Sequence, residues 1–406
     1  MPDRSAADLD ENASDPLARS DSDASQPASV GATLRVTCFI HSLAGGGAER
    51  VMAALASKLA TRHQVTLITL GSGNDDRHDV APNVARVDLN VMAEHEPPPG
   101  IFRRAVAAAS RLKAIRHAIV HSRPDVVLSF CDSNNVKVLL ATKGLAIPVV
   151  VAERSDPAMQ SLGTVGDRLR NMTYRRAAAV VAQTNGQAAT LRQMTGREID
   201  VIPSAVEAPN DAGPLRDECQ RSRGDSELRI LAVGRLETEK GFDRLIQAFA
   251  LGVSETDQAM SLRIVGEGSQ RDALIEQAER LGVDAAVQLP GWCRPIWPMY
   301  AGCDLFVLPS RYEGFPSALL EAMSVGVPCV SVDCPSGPRE IIRDGENGWL
   351  VENTVAGIAG GITAFAGRPD DVTAAVADRA RNDVRQNFRW DTLVDRFDAV
   401  LRRCAK

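Results

Sequence analysis

Short runs of β-branched and other apolar residues alternate with longer amphipathic stretches along most of the chain. In the first half, this pattern predicts strands at 34–40, 65–70, 126–130, 149–152, 180–182 and 201–202, and helices at 48–60, 102–121 and 186–194. In the second half, it predicts strands at 230–233, 262–265, 287–289, 305–308 and 329–332. Strands that alternate with helices are typical of right-handed βαβ units and a parallel sheet.

A polar break after residue 203 separates the pattern into two series. The sequence therefore predicts an α/β protein with two Rossmann-like, doubly wound domains that face a cleft. Ligands of such domains bind at the carboxyl ends of the parallel strands, so the loops there are the candidates for chemistry. The predicted divisions are a tail at 1–33, a first domain at 34–205, a linker at 206–227, a second domain at 228–386 and a terminal segment at 387–406.

Charge is distributed unevenly among these divisions. The 406 residues carry a net charge of −6, which divides into −5 over 1–33, +7 over 34–205 and −8 over 206–406. The acidic tail is rich in Ser, Ala, Asp and Pro, and we expect it to be disordered. A basic domain joined to an acidic one favours different partners for the two.

Targeting and cysteine patterns argue against several classes of protein. No apolar stretch approaches the roughly 18–20 residues of a membrane span, and the first thirty residues lack the apolar run of a secretory signal. We therefore expect a cytoplasmic location. The eight cysteines include no C-x-x-C pair, so neither a zinc site nor a disulfide framework is predicted.

The first candidate loop follows the first strand and opens a helix. Gly45, Gly46 and Gly47 let the backbone approach a ligand closely, and the helix start offers free N–H groups to an anion such as phosphate. A dinucleotide-binding fingerprint is disfavoured, because the glycines are contiguous and 66–71 contains no acidic residue. The alternative is a tight turn that binds no ligand.

The second candidate loop follows the first strand of the second series. Arg235 and Lys240 lie five residues apart there, and the two cations would suit a diphosphate. The alternative is a solvated turn in which these bases pair with Glu237 and Glu239.

The strongest candidate is the segment 309–323, which again follows a predicted strand. Glu313 lies in the loop, and Glu321 lies in the helix that Pro316 helps to begin. Two carboxylates that face the cleft would accept hydrogen bonds from sugar or ribose hydroxyls. The alternative is a favourable charge near the helix start together with ordinary surface charge.

These segments resemble a known family. Residues 234–241, 313–323 and 334–342 are similar to the family 4 retaining glycosyltransferases of the GT-B fold. Residues 45–50 and the Glu153-Arg154-Ser155-Asp156-Pro157 segment resemble the branch that builds bacterial surface polysaccharides and lipid-linked oligosaccharides. The resemblance extends from about residue 34 to the C-terminus.

The resemblance implies a nucleotide-sugar donor held mainly by the second domain. Arg235 and Lys240 match the bases at the diphosphate. Glu313 matches a carboxylate at the transferred sugar, and Glu321 matches one at the ribose. Trp292 and Cys293 match the segment that lines the nucleobase pocket in the family, and residues 390–402 resemble its helix that crosses back to the first domain. The other donor-binding residues that it implies are Gly46, Gly47, Gly314, Phe315, Pro316 and Ser317.

The implied reaction moves a hexose or N-acetylhexosamine, from a UDP-sugar by preference, to a hydroxyl of a lipid-linked or growing surface glycan with retention of configuration. Neither a metal nor a cofactor is implied, because cations and helix-end N–H groups would stabilise the diphosphate. Many members have a histidine where this chain has Glu153, which we expect among the catalytic residues with Glu313, Arg235 and Lys240.

Basic residues on two helix-like segments of the first domain indicate further partners. They would bind an anionic membrane surface, which predicts a peripheral protein on the inner face of the plasma membrane, or attract a pyrophosphate-linked acceptor. Solvated helix faces are the alternative, and nucleic acid is not expected, because no reader motif accompanies the charge. The residues are Arg103, Arg104, Arg111, Lys113, Arg116, Arg168, Arg170, Arg175 and Arg176.

Two other functions stay open on the same fold. A sugar-nucleotide epimerase or hydrolase would need acid–base residues in the cleft beyond those named. A non-catalytic sugar-nucleotide-binding protein would be favoured by the loss of Glu313 or Lys240, and both are present.

Overall fold

The computed structural model describes residues 32–92, 101–209, 216 and 227–405. The predicted disordered tail, except for residues 32 and 33, and most of the predicted linker lie outside these described residues. Within the described part of the chain, no helix combines the length and the apolar composition that a membrane span requires.

The first sheet has seven parallel strands in the order β3-β2-β1-β4-β5-β6-β7. The strands are β1 Arg35–Ile40, β2 Gln64–Thr69, β3 Ala85–Asp88, β4 Val126–Phe130, β5 Val149–Ala152, β6 Ala179–Ala182 and β7 Asp200–Val201. The helices between them are α1 Gly47–Leu59, α2 Ile101–His121, α3 Asp132–Ala141, α4 Gly163–Tyr174 and α5 Asn185–Thr195. The strand order reverses beside β1, so loops from both halves of the sheet meet there.

The second sheet has six parallel strands in the order β10-β9-β8-β11-β12-β13. The strands are β8 Glu227–Val233, β9 Ala259–Val265, β10 Val287–Gly291, β11 Leu305–Leu308, β12 Cys329–Val332 and β13 Trp349–Val351. The helices are α6 Phe242–Glu255, α7 Arg271–Arg280, α8 Trp297–Ala301, α9 Ser317–Val325, α10 Val355–Ala366, α11 Asp370–Asn387 and α12 Trp390–Cys404.

All of the predicted strands are present, with ends that shift by at most a few residues. The central strands are buried on both faces and therefore read as continuous apolar runs in the sequence. The sequence pattern did not predict β3 and β13. Both are short strands at a sheet edge. The residues of β3 are exposed or partly exposed, and the apolar run of β13 has only three residues, fewer than the pattern of a strand requires.

The last helix of the chain packs on the first sheet, although it follows the second sheet in sequence. Leu393, Phe397 and Leu401 of α12 are buried in the same apolar cluster as the first-sheet strands. The ring of Phe397 lies 5.9 Å from that of Phe130 at the end of β4. Among the described residues, the first strand and the last helix therefore both contribute to the core of the first sheet.

Phe397→Ala tests how much the packing of α12 on the first sheet contributes to stability. Because the ring is buried among β4 and its neighbours, its loss should cost about 3–5 kcal/mol of the free energy of unfolding. Urea denaturation would measure the change. The matched control is Phe102→Ala, because Phe102 is 81% exposed and its removal should change the free energy of unfolding by about 0.5 kcal/mol or less. Equal effects of the two substitutions would contradict the packing described here.

Candidate active site

The loops that the sequence singled out lie at the carboxyl ends of their strands. The glycine loop follows β1, the loop with Arg235 and Lys240 follows β8, and the loop with Glu313 follows β11. β8 and β11 are neighbours in the second sheet, so their loops meet at one edge.

Glu313 and Lys240 form a buried ion pair at this edge. The Nζ of Lys240 lies 2.8 Å from Oε1 and 3.0 Å from Oε2 of Glu313, and the Oγ of Ser310 donates to Oε1 at 2.7 Å. Glu313 is only 6% exposed. A carboxylate this deep in the protein requires such donors, so the three side chains hold one another in place.

The position of Lys240 follows from the turn that carries it. Thr238–Lys240 form one turn of 3₁₀-helix, which ends at Gly241 with a φ of +68°. A Cβ on Gly241 would overlap the carbonyl oxygen of Pro309, so only glycine lets the turn pack against the end of β11. This close packing brings Lys240 to the loop that contains Glu313.

The structure does not bring Arg235 to the same carboxylate. Its guanidinium is 63% exposed and pairs with Glu239 at 2.8 Å, whereas Glu237 accepts hydrogen bonds from Ser269. The solvated-turn alternative therefore describes Arg235 as it stands here, and it does not describe Lys240.

Glu321 lies on α9, where its carboxylate is 5% exposed. Its Oε2 accepts a hydrogen bond from the hydroxyl of Tyr300 at 2.7 Å. Its Oε1 forms an ion pair with Arg50 of α1, which belongs to the first sheet's layer. Glu321 is therefore a point at which the two domains are joined. Pro316 occupies the cap position before α9 rather than its first turn.

The backbone of Gly314 is in direct contact with the first domain. A Cβ at Gly314 would overlap the carbonyl oxygen of Arg154, just beyond the end of β5. The Nε2 of Gln187 donates to the carbonyl oxygen of Gly314 at 2.9 Å, and Glu340 accepts from the N–H of Asn185 at 2.9 Å. The loop after β11 is thus held between elements of both sheets.

The glycine loop approaches the start of α9. Gly45 and Gly46 have φ angles of +144° and +106°, a region that favours glycine. A Cβ at Gly47 would lie 3.5 Å from the Oγ of Ser317, in ordinary contact. The free N–H groups at the two helix starts, α1 and α9, therefore border the same part of the cleft.

The predicted nucleobase segment also meets the first domain. The guanidinium of Arg77 stacks 4.8 Å from the ring centre of Trp292, and Arg294 pairs with Asp79 at 2.7 Å. Trp292 and Cys293 remain partly exposed. The side chain of Phe315 instead packs inward, with its ring 5.9 Å from that of Phe388, so only its backbone borders the cleft.

Glu153 is buried within the first domain. Its Oε2 accepts from the hydroxyl of Tyr174 at 2.7 Å and its Oε1 from the backbone N–H of Arg154 at 3.2 Å. Burial, together with the nearby carboxylate of Asp132, raises the pKa of Glu153 to about 7. A catalytic role for Glu153 stays a prediction, and the contacts described here tie it to Tyr174 rather than to the second domain.

Arg154 occupies the same strand end but extends in another direction. Its guanidinium donates to the Oγ of Ser204 at 2.8 Å and lies 5.1 Å from the ring centre of Phe130. Burial lowers its pKa to about 10. The two adjacent residues thus place a carboxylate and a cation on opposite sides of β5.

Several residues of the site were not among the sequence-predicted candidates. Arg50 lies three residues after Gly47 and Ser310 lies three residues before Glu313, and this proximity to candidate residues is a signal that could have been used. Tyr300 and Gln187 carry no such signal, because each meets its partner only through the packing of distant segments.

Two family models match the sequence. One, described as Glycosyltransferase Family 4, matches residues 45–208. The other, described as Glycosyl transferases group 1, matches residues 218–382. Together the matches span most of the chain.

Two known bacterial proteins are similar over most of their length. The N-acetylgalactosamine-N,N'-diacetylbacillosaminyl-diphospho-undecaprenol 4-alpha-N-acetylgalactosaminyltransferase of Campylobacter jejuni is 29% identical over 323 residues, which cover 77% of this chain and 85% of that protein. The lipopolysaccharide core biosynthesis glycosyltransferase LpsE of Rhizobium meliloti is 26% identical over 378 residues, which cover 91% of this chain and 99% of that protein.

Solved structures share the fold. Anabaena HepE in complex with UDP and glucose superposes with a TM-score of 0.74 at 20% identity, over 91% of this chain and 100% of that one. Sucrose-phosphate synthase from Thermosynechococcus elongatus superposes with a TM-score of 0.76 at 17% identity, over 91% of this chain and 98% of that one. The predicted GT-B architecture of two Rossmann-like domains is confirmed.

Glu153→Gln tests the burial of this carboxyl group through the pH dependence of stability. An unfolded glutamate loses its proton near pH 4.5, whereas folded Glu153 keeps it until about pH 7, so the wild type loses stability as the pH rises between these values. Glutamine still accepts from Tyr174 and does not titrate. The difference in the free energy of unfolding, variant minus wild type, should therefore increase by about 2–3 kcal/mol between pH 5 and pH 8.

Urea denaturation at the two pH values measures this difference. Glu276→Gln, at an exposed position on α7, supplies the baseline for a glutamate that water reaches. A difference between Glu153→Gln and wild type that stays constant with pH would show that Glu153 is not buried as described.

Proposed function

Because the chain belongs to the glycosyltransferases that the group 1 and family 4 models describe, we propose that it transfers a sugar from a nucleotide-diphosphate donor to a hydroxyl group. The transferred sugar is a hexose or N-acetylhexosamine, and its anomeric configuration is retained. The observation that carries the proposal is the Lys240–Glu313 pair at the carboxyl edge of the second sheet, beside the start of α9.

The names of similar proteins support the choice of donor and acceptor. The Campylobacter relative is named for action on a diphospho-undecaprenol-linked sugar, and the Rhizobium relative for lipopolysaccharide core biosynthesis. The HepE structure holds UDP and glucose. We therefore favour a UDP-sugar as donor and a lipid-linked or growing cell-surface glycan as acceptor.

Positive charge at the diphosphate is the main requirement of this reaction, because negative charge develops there as the glycosidic bond breaks. Lys240 supplies a partly buried point charge, and the N–H groups at the start of α9 add oriented dipoles. Arg235 joins them by turning from Glu239, which its exposed side chain is free to do. This set needs no metal ion or cofactor to stabilise the leaving group.

Glu313 acts as an acceptor of sugar hydroxyl groups in this proposal. Its Oε1 already accepts from Lys240 and Ser310, whereas its Oε2 accepts, among the described residues, from Lys240 alone. A carboxylate oxygen has two lone pairs, so Oε2 retains room for one hydroxyl donor. Glu313 held in this way orients the sugar, and the acceptor attacks from the face that the departing phosphate leaves.

A basic and apolar surface of the first domain supports membrane attachment. Phe102 and Val106 of α2, and Val165 and Met172 of α4, are large apolar side chains exposed to solvent. Exposed bases accompany them on the same helices or directly after α4, a combination that suits anionic headgroups and the apolar boundary beneath them. The exposed bases are Arg103, Arg104, Lys113, Arg168, Arg175 and Arg176.

Three of the bases predicted for this surface serve the fold instead. Arg170 is buried and donates to the carbonyl oxygens of Pro157 and Gln160. Arg116 donates to the carbonyl oxygens of Ala141, the last residue of α3, and Lys143, and Arg111 donates to that of Val91. We propose that the protein is cytoplasmic and lies on the inner face of the plasma membrane through the remaining bases.

Donor binding is the first test of this function. Thermal unfolding of the full chain is measured with UDP-, GDP- and ADP-sugars, in EDTA and in Mg²⁺. Stabilisation by UDP-sugars in EDTA is expected, since binding to the folded state raises the unfolding temperature. The absence of a shift with all three nucleotides would contradict the proposal.

Lys240→Ala should impair both donor binding and turnover. Its loss removes positive charge from the diphosphate and leaves Glu313 without its cation, so we expect kcat/KM to fall about 100-fold or more, with a raised donor KM and a lowered kcat. Glu313→Gln should lower kcat with folding intact by circular dichroism. Lys143→Ala, at an exposed lysine of the first domain, is the matched control. Unchanged turnover in Lys240→Ala would reject its assignment.

Attachment to vesicles tests the membrane surface. The protein should co-sediment with vesicles that contain anionic lipid and not with purely zwitterionic ones, and the binding should weaken as salt rises. A variant with Arg103→Glu, Arg104→Glu and Phe102→Ser should lose this binding and keep its thermal shift with the donor. Arg263→Glu, at an exposed site on the second sheet, is the control. Equal binding of all these proteins would refute the proposed surface.

A further inference from the structure

The two oxygens of the buried Glu321 carboxylate have partners of different kinds. Oε2 accepts from Tyr300, which is fully buried in the second domain and lies three residues beyond the start of α8. Oε1 is paired with Arg50, which reaches it from the other domain. The Tyr300 contact is fixed by the core, whereas the Arg50 contact depends on how the two domains meet.

Arg50 is directed across the cleft by its surroundings on α1. The preceding residue, Glu49, is engaged by His41 at 2.9 Å, and its carboxylate packs against Gly46. Among the described residues, Glu321 is the one carboxylate within ion-pairing distance of Arg50. The sequence places this cation three residues after Gly47, on the helix that the glycine loop begins.

The same helix face connects Glu321 with the predicted phosphate site. Ser317, the first residue of α9, lies four residues before Glu321 and therefore on the same face, one turn away. Gly47 of the first domain faces the Ser317 hydroxyl, which a Cβ at Gly47 would approach to 3.5 Å. A guanidinium that leaves Glu321 needs to travel about 5 Å, one helical turn, to reach the free N–H groups at the start of α9.

We propose that Arg50 is a donor-binding residue that exchanges one anionic partner for another. Without donor, it neutralises Glu321, and with donor it moves to the diphosphate while the ribose hydroxyls take the vacated Oε1. This inference rests on the proposed function, because it uses the same donor site. It adds a cation from the first domain that the sequence comparison with the family did not assign.

The exchange has opposite consequences for two related ligands. A nucleoside offers ribose hydroxyls but no phosphate, so it must displace Arg50 from Glu321 and gains nothing in return. A nucleoside diphosphate displaces Arg50 and then binds it as a charged fork. Removal of Arg50 should therefore help the nucleoside and harm the diphosphate.

Arg50→Gln tests this opposition in the full chain. Titration calorimetry compares uridine and UDP, or guanosine and GDP should that class be the one that stabilises the wild type. We expect the Kd for the nucleoside to fall about threefold or more and the Kd for the nucleoside diphosphate to rise about tenfold or more. Arg62→Gln, which removes an exposed arginine beyond the far end of α1, should change neither.

The outcomes separate this inference from the function on which it depends. If the wild type binds none of the nucleotides, the proposed function fails. If the wild type binds and Arg50→Gln shifts the nucleoside and the diphosphate in the same direction, or shifts neither, the exchange is wrong. Should Arg50→Gln fail to fold, Arg50→Lys takes its place. It keeps the charge without the fork, so we expect weaker UDP binding with uridine binding unchanged or tighter, and weaker binding of both would overturn the exchange.

Discussion

A carboxylate withdrawn from water needs a cation or several hydrogen-bond donors, and the cleft is arranged around two such groups eight residues apart. Glu313 finds its donors within the second domain, in Lys240 and Ser310. Within the described part of the second domain, Glu321 has Tyr300 as its one hydrogen-bond donor, and it takes its cation from the first domain. The arrangement of the two sheets is therefore part of the solvation of Glu321. Separation of the domains would expose this carboxylate, and its charge would then be compensated by water.

The fold was largely predictable, because parallel strands buried on both faces leave continuous apolar runs in the sequence. The strands β3 and β13 escaped prediction, since an edge strand of three or four residues needs no such run. For the site, the sequence predicted which residue types follow the strand ends, and it did not predict which of those side chains meet. Arg235 and Lys240 were equivalent in the sequence. The 3₁₀ turn that ends at Lys240 brings Lys240 to Glu313, whereas Arg235, which precedes the turn, is exposed to solvent. Nothing local distinguishes the two.

The net charge of the first domain likewise predicted its exposed surface only in part. A net charge of +7 over 34–205 suggested a basic surface. Part of that charge lies inside, because Arg170 and Arg116 hold loops through backbone carbonyl oxygens, and Arg154 is buried against Phe130. Net charge counts residues and not their exposure. The surface that remains is smaller, and it draws its character as much from exposed apolar side chains as from its bases.

At Gly314 the two domains approach each other so closely that a Cβ there would overlap the carbonyl oxygen of Arg154, and the approach is made by backbone atoms on both sides. Substitution of the Arg154 side chain would leave its carbonyl oxygen in place, so the contact is insensitive to the identity of residue 154. A single methyl group at Gly314, by contrast, would act as a wedge between the domains. A Gly314→Ala substitution would therefore hold the two domains apart and the cleft partly open, and every charged group of the site would still be present.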